Sequence, residues 1–146
     1  MSISDWSATE LCTDQDCASR ETRCQQYGAG QGSLKKWRDA GKKEIETRLR
    51  FALKDEQKET ATDILDLIGS YEPLRMAAVF ISLHLLFNDL MVNTGDLYTA
   101  KASYYLAQFE EELGRAVAQL NLDLDEDGVI SDPEEQNINF GVKFYR

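Results

Sequence analysis

An all-α fold, a small helical bundle around a long helical hairpin, is predicted by three observations on this 146-residue chain. Residues 71–120 hold two long apolar runs at helical spacing, separated by one short polar corner. Residues 34–54 form a third run of the same period. No stretch alternates with the period of two that a half-buried strand shows until the last residues, so the helices have only one another to pack against. The length suits one domain with a modest core. Three parts are expected: a helical bundle over 1–121, an acidic turn like a calcium loop over 122–135, and an extended C-terminal tail over 136–146.

Residues 1–11 carry Trp6 and Leu11 among small polar residues, and read as an extended lead-in pinned by the indole. Thr13 with Asp16 three residues on resembles a capping box, with Asp in place of the usual Glu or Gln, and predicts a short helix over about 14–27. Gly28, Gly30 and Gly32 then mark a loop, and Ser33 can cap the next helix. The glycines do not make a phosphate loop, because no strand precedes them and the Gly-Lys-Ser/Thr ending is missing.

From 34 to 54 the apolar residues Leu34, Trp37, Ile45, Leu49, Ala52 and Leu53 share one helical face. Lys35, Lys36, Arg38, Lys42, Lys43, Arg48 and Arg50 lie between them, interleaved with Asp39, Glu44 and Glu46. That mixture predicts a solvated face, or one turned to an acidic neighbouring chain, in preference to a DNA site. Gly41 in mid-helix costs about 1 kcal/mol against Ala, so a bend or a close approach is expected there. After a charged connector over 55–60, residues 61–68 predict a short helix with Ile64, Leu65, Leu67 and Ile68 inward, stopped by Gly69.

The hairpin comes next. Pro73 suits a first helical turn, where its missing N–H would have no partner anyway. The run MAAVFISLHLLF over 76–87 is apolar in almost every direction, as expected of a helix packed on several sides. It falls short of the roughly 20 apolar residues a bilayer needs, with Arg75 before it and Asn88 and Asp89 after it. Gly95 and Asp96 supply a left-handed stop and a new cap at the corner. In the second arm Tyr98, Tyr105, Phe109, Leu113, Ala116, Val117 and Leu120 form one face, while Lys101, Gln108, Glu110, Glu111 and Arg115 lie mostly elsewhere.

Asp123, Asp125, Asp127, Gly128, Val129, Ile130, Ser131 and Glu134 match the twelve-residue calcium loop position by position. Alternate carboxylates turn inward, the glycine allows the bend, Val129 offers a carbonyl, and Glu134 can chelate with both oxygens. Asp123, Asp125, Asp127, Val129 and Glu134 are therefore candidate Ca2+ ligands. Against this stand the single copy and the short, polar segment after Glu134. The alternative is an acidic turn ended by a Pro133 helix start, which needs no metal. With metal, a structural role is expected over a sensor role, since no groove-exposing helix pair is evident.

In the tail, Ile138, Phe140, Val142 and Phe144 alternate with Asn139, Gly141, Lys143 and Tyr145. This strand signal has no partner strand in the chain. Either the tail pairs with something outside the chain, or it folds back on its own helices or stays loose.

The totals exclude more than they assign. Twenty-six acidic against 16 basic residues give a net charge of -10, which repels a phosphate backbone. No positive segment leads into an apolar one at the N-terminus, so no secretion signal is expected. Cys12, Cys17 and Cys24 form no CxxC pair, and buried reduced thiols are expected over a metal site. His84 lies within the apolar run with no nucleophile or paired carboxylate at a useful spacing, so a hydrogen-bonded core histidine is expected. Glu110, Glu111, Glu112 and Arg115 read as a wet face with a helical ion pair. No enzyme is read from the chain.

In the order of these features the chain resembles the head–tail adaptor (connector) proteins of tailed bacteriophages, small helical subunits that form a ring beneath the portal. The resemblance rests on Trp6, Glu10 and Leu11 in the lead-in and on the Trp37 helix running into EIETRL at 44–49. It continues through the core helix at 74–90, the Gly95–Asp96 corner, KASYY at 101–105, the pattern over 110–120, the DEDG turn and the basic-ended tail.

It implies a structural virion protein, assembled in the host cytoplasm, in a ring of about twelve copies. One side would meet the portal protein and the other a tail or stopper protein, with DNA passing through unheld and no membrane involved. The tail would reach a neighbouring portal or subunit through Ile138, Phe140, Val142, Phe144, Tyr145 and Arg146. The calcium-like loop departs from that role, and the competing class is a small EF-hand-like calcium-binding module.

Overall fold

The computed structural model describes residues 5–27, 33–53, 62–91 and 97–121. Within them the fold is all-α, with no strand, and only Leu53 and Ile68 in isolated bridge conformation. Five α-helices are seen among these residues: α1 (Asp14–Arg20), α2 (Cys24–Tyr27), α3 (Lys35–Ala52), α4 (Arg75–Leu90) and α5 (Leu97–Gln119). Short 3₁₀ turns cover Ile64–Leu67 and Glu72–Leu74, the second running straight into α4. The corner at Gly95 and Asp96, the 55–60 connector, the calcium-like turn and the tail lie outside the described residues.

Helix α4 is the centre. It packs along α5 and α3 and also meets α1 and α2. Its buried residues run without a break from Ala77 to Leu83, then Leu86 and Phe87, so nearly every direction around the axis is covered. By length and composition Glu72–Leu90 would just suffice to cross a membrane, longer than the apolar run alone. Its apolar side chains belong instead to the common core.

Antiparallel α5 lies against it, with Phe87 stacked on Tyr98 and Tyr105 at centroid distances of 6.1 and 5.8 Å, and Phe80 on Tyr105 at 6.1 Å. Phe109, Leu113, Ala116 and Val117 continue the inward stripe. Near the end of α5, the Asn121 carbonyl accepts the Gly69 N–H at 2.8 Å, joining it to the segment before α4.

Helix α3 crosses α4 at a point that explains its mid-helix glycine. A Cβ built on Gly41 would sit 2.8 Å from Ile81 Cγ2 and 3.2 Å from Ser82 Oγ, so a close approach occupies this site. The start of α3 is held by Ser33 Oγ, which accepts the Lys35 N–H at 3.1 Å, and by Asp14, whose carboxylate receives the Leu34 N–H at 3.3 Å.

Two expected helices come out shorter. The 14–27 segment begins as expected, with Thr13 and Asp16 in a reciprocal capping box, but it breaks at Glu21, which turns extended. There the Glu21 carboxylate receives Lys101 Nζ at 2.6 Å and the Tyr105 hydroxyl at 2.8 Å, a tertiary attachment that a continuous helix would redirect. The 61–68 segment is a single 3₁₀ turn at Ile64–Leu67, where the Asp63 carboxylate accepts the Leu65 N–H at 3.0 Å. Ile64, Leu65, Leu67 and Ile68 are all buried, and the tight turn lets neighbouring side chains enter the core from different sides.

Candidate docking surface

The basic face of α3 is not a free surface. Arg38 binds Glu10 at 2.9 Å, Asp14 at 2.8 Å and the Cys12 carbonyl at 3.2 Å. Lys42 gives its ammonium protons to the carbonyls of Trp6 and Thr9, and burial lowers it from the ordinary lysine value. Arg48 forms a two-pronged bond with Glu110 at 2.8 Å for each prong. Arg50 does the same with Asp63 at 3.0 and 2.9 Å. The expected solvated face holds for Lys35, Lys36, Lys43 and Arg50, which are exposed, while Arg38, Lys42, Arg48 and Arg50 also tie α3 to other parts of its own chain. No local sequence pattern marks these pairs, whose members lie far apart along the chain. Lys43 differs: it is exposed, and its ammonium has no acidic partner among the described residues.

The N-terminal arm is fixed by the same chemistry. Trp6 is buried, its indole N–H donates to Glu46 at 2.9 Å, and its backbone N–H donates to Asp66 at 2.8 Å. A cleft of about 250 Å³ lies between the arm and α3. Arg38 and Lys42 on its wall already hold Glu10, Asp14 and backbone carbonyls, which leaves little for an incoming anion.

Cys12, Cys17 and Cys24 are free and buried. A thiol hydrogen bond with Cys12, and then burial, pushes the Cys17 thiol well above the ordinary range, so it keeps its proton. That same bond holds Cys12 lower. Burial, aided by Glu21 and Asp14, moves Cys24 up to about 11. Among the described residues no three His, Cys, Asp or Glu side chains converge to hold a metal. The candidate ligands Asp123, Asp125, Asp127, Val129 and Glu134 lie outside those residues, as do Ile138, Phe140, Val142, Phe144, Tyr145 and Arg146.

His84 is half-buried, with Nδ1 2.8 Å from the Ala102 carbonyl, so that nitrogen carries the proton and ties α4 to α5. Its hydrogen bond is as expected, though it sits at the edge of the core. The Glu111 and Glu112 carboxylates pair with Arg115 along α5, whereas Glu110 faces α3.

One open surface combines apolar and polar residues. A shallow groove of about 400 Å³ runs between α3 and α5, with Ile81, His84 and Leu85 of α4 as its floor. Ala40 and Thr47 form one wall and Leu106 the other, with Lys43 and Glu44 on the rim. Leu106 is 37% exposed, and beyond it α5 presents Tyr104 at 57% and Leu97 at 65%. Leu97 and Tyr104, seven residues apart, share one face of α5, whereas Leu106 lies on the opposite side, toward α3. Sequence periodicity could not assemble this groove, since its residues come from three helices. No protein-family model, curated protein or solved structure matches the chain.

Proposed function

We propose that this chain is a head–tail adaptor: a ring-forming structural subunit that joins a phage portal to a tail or stopper protein while DNA passes through. The reading is carried by the order of features that resembles that family, and several residues quoted for it meet others across the fold. Trp6 holds Glu46, Arg48 holds Glu110, and Lys101 and Tyr105 both hold Glu21.

Charge supports the same role. A net charge of -10, with the α3 cations engaged inside the chain, suits a wall past which DNA slides without being held. The subunit works by presenting rigid surfaces and needs no reaction of its own. Co-sedimentation of the purified chain with the portal ring of the same source, with and without residues 138–146, tests this. Tail-dependent binding is the expected result, and no binding by either form overturns it.

A second reading rests on the loop pattern from Asp123 to Glu134, a calcium-binding module of the EF-hand kind with Ca2+ held by the ligands named above. It predicts saturable calcium binding that Asp123→Ala with Glu134→Ala abolishes. A titration with no heat and no change in stability removes it.

A further inference from the structure

We infer that Cys12 and Cys17 form a peroxide-sensing dithiol, in which Cys12 is oxidised from the cleft beside the N-terminal arm and Cys17 closes a disulfide with it. The site is independent of the adaptor role.

The start of α1 brings the two sulfurs together. Thr13 is the cap and Asp16 the third helical residue, so Cys12 lies just before the cap and Cys17 in the fourth helical position. Side chains at those two positions meet over the first turn of a helix, usually as an apolar staple. Here both are thiols joined by a hydrogen bond, so a pair that oxidation can link takes the staple's place. The reciprocal Thr13–Asp16 bonds, at 3.0 and 3.1 Å, hold the turn between them.

The two thiols are not equivalent. Cys12 lines the cleft of about 250 Å³ between the arm and α3, which has room for a small neutral molecule such as hydrogen peroxide. Cys17 is fully buried. Ser82 Oγ lies 4.0 Å from the Cys12 sulfur, and Arg38 donates to the Cys12 carbonyl at 3.2 Å, which sets a guanidinium beside this residue. The Cys17 bond, opposed by burial and helped by Ser82 and Arg38, holds Cys12 below the ordinary thiol value and favours the nucleophilic thiolate. An activated thiol at an opening, with a second thiol in contact, is the arrangement that redox sensors use. Cys24 lies on α2, beyond the break at Glu21, and burial raises it to about 11, so it stays reduced.

The chemistry balances with a hydroperoxide as the oxidant. The Cys12 thiolate attacks one peroxide oxygen, the O–O bond breaks, and Cys12 becomes a sulfenic acid as hydroxide leaves. That hydroxide takes up the proton Cys12 has lost. The Cys17 sulfur then attacks the Cys12 sulfur, the S–O bond breaks, and the hydroxyl group departs with the Cys17 proton as water. Two thiols and one peroxide give one disulfide and two waters.

The test exposes the reduced, folded, full-length chain to hydrogen peroxide, then unfolds it in N-ethylmaleimide and digests it with trypsin. Cleavage after Arg20 and Arg23 puts Cys12 and Cys17 in one peptide and Cys24 in another. The expected result is an unalkylated peptide ending at Arg20, lighter by two hydrogens and restored by dithiothreitol, with Cys24 alkylated throughout. In Cys17→Ser, dimedone should trap the Cys12 sulfenic acid. In Cys12→Ser, Cys17 should be oxidised about tenfold more slowly or less than in the wild type.

The wild-type map needs no variant, and circular dichroism checks that each variant keeps its helix content. Both thiols alkylated after peroxide, linkage that forms only in urea, Cys24 oxidised as fast as Cys12, or undiminished oxidation of Cys17 in Cys12→Ser would overturn the inference.

Discussion

The N-terminal arm and the α4–α5 hairpin are held by opposite kinds of force. The hairpin is joined by stacked rings and buried aliphatic side chains, with a polar tie from His84 to Ala102 at its edge. The arm contributes Trp6, Leu11 and Cys12 to the core but is located by directed bonds from Lys42, Arg38, Glu46 and Asp66. Non-directional burial sets how strongly the hairpin holds, whereas the polar bonds set where the arm sits.

The sharpest way to break the hairpin is Phe109→Ala. The ring is fully buried, and its loss should cost about 3–5 kcal/mol, read by urea melts. A loss under about 1 kcal/mol would mean the α4–α5 seam repacks freely.

Next comes Gly41→Val, which drives new methyl groups into Ile81 where α3 crosses α4. Overpacking should destabilise by about 1–3 kcal/mol, although leaving glycine normally favours a helix. A rise in Tm would contradict the close approach.

For the arm, Lys42→Met leaves the Trp6 and Thr9 carbonyls without their donor, at a cost of about 1–3 kcal/mol. Hydrogen exchange should quicken over residues 5–13 while α4 stays protected. Uniform loss of protection would show that the two regions unfold as one.

Alkaline pH gives a smaller effect. Cys24 keeps its proton in the folded chain until about pH 11, against an ordinary thiol value of 9.0, so the folded state binds the extra proton between them. Stability is therefore full below about pH 9 and falls as pH rises to about 11, by at most about 1.4 kcal/mol per unit. The difference between the wild-type and Cys24→Ala curves isolates this slope, and parallel curves would place the titration elsewhere.

Smallest is the Arg48–Glu110 pair, whose side chains are each 32% exposed. A double-mutant cycle should return about 1 kcal/mol or less, reduced by salt.

Much of this fold can be read from residue order alone. The all-α class, the inward stripe of α5, the multiply packed α4, the Thr13–Asp16 box and the close approach at Gly41 all follow from period and local chemistry, which act over a few residues. The burial of Trp6 and of the three thiols followed from composition as well. The break at Glu21 did not, because the partners of its carboxylate, Lys101 and Tyr105, lie far along the chain.

The same division holds for the docking surface. The alternating tail and the acidic loop are visible as strings, since their chemistry is carried by neighbours in sequence. The groove is not, because Ala40, Leu85 and Leu106 become one surface only when three helices pack. Sequence by itself determined which residues want to leave water and with what period. Tertiary structure alone decided which cations are neutralised within the chain and which apolar residues stay exposed, because both depend on distances between segments that periodicity does not encode.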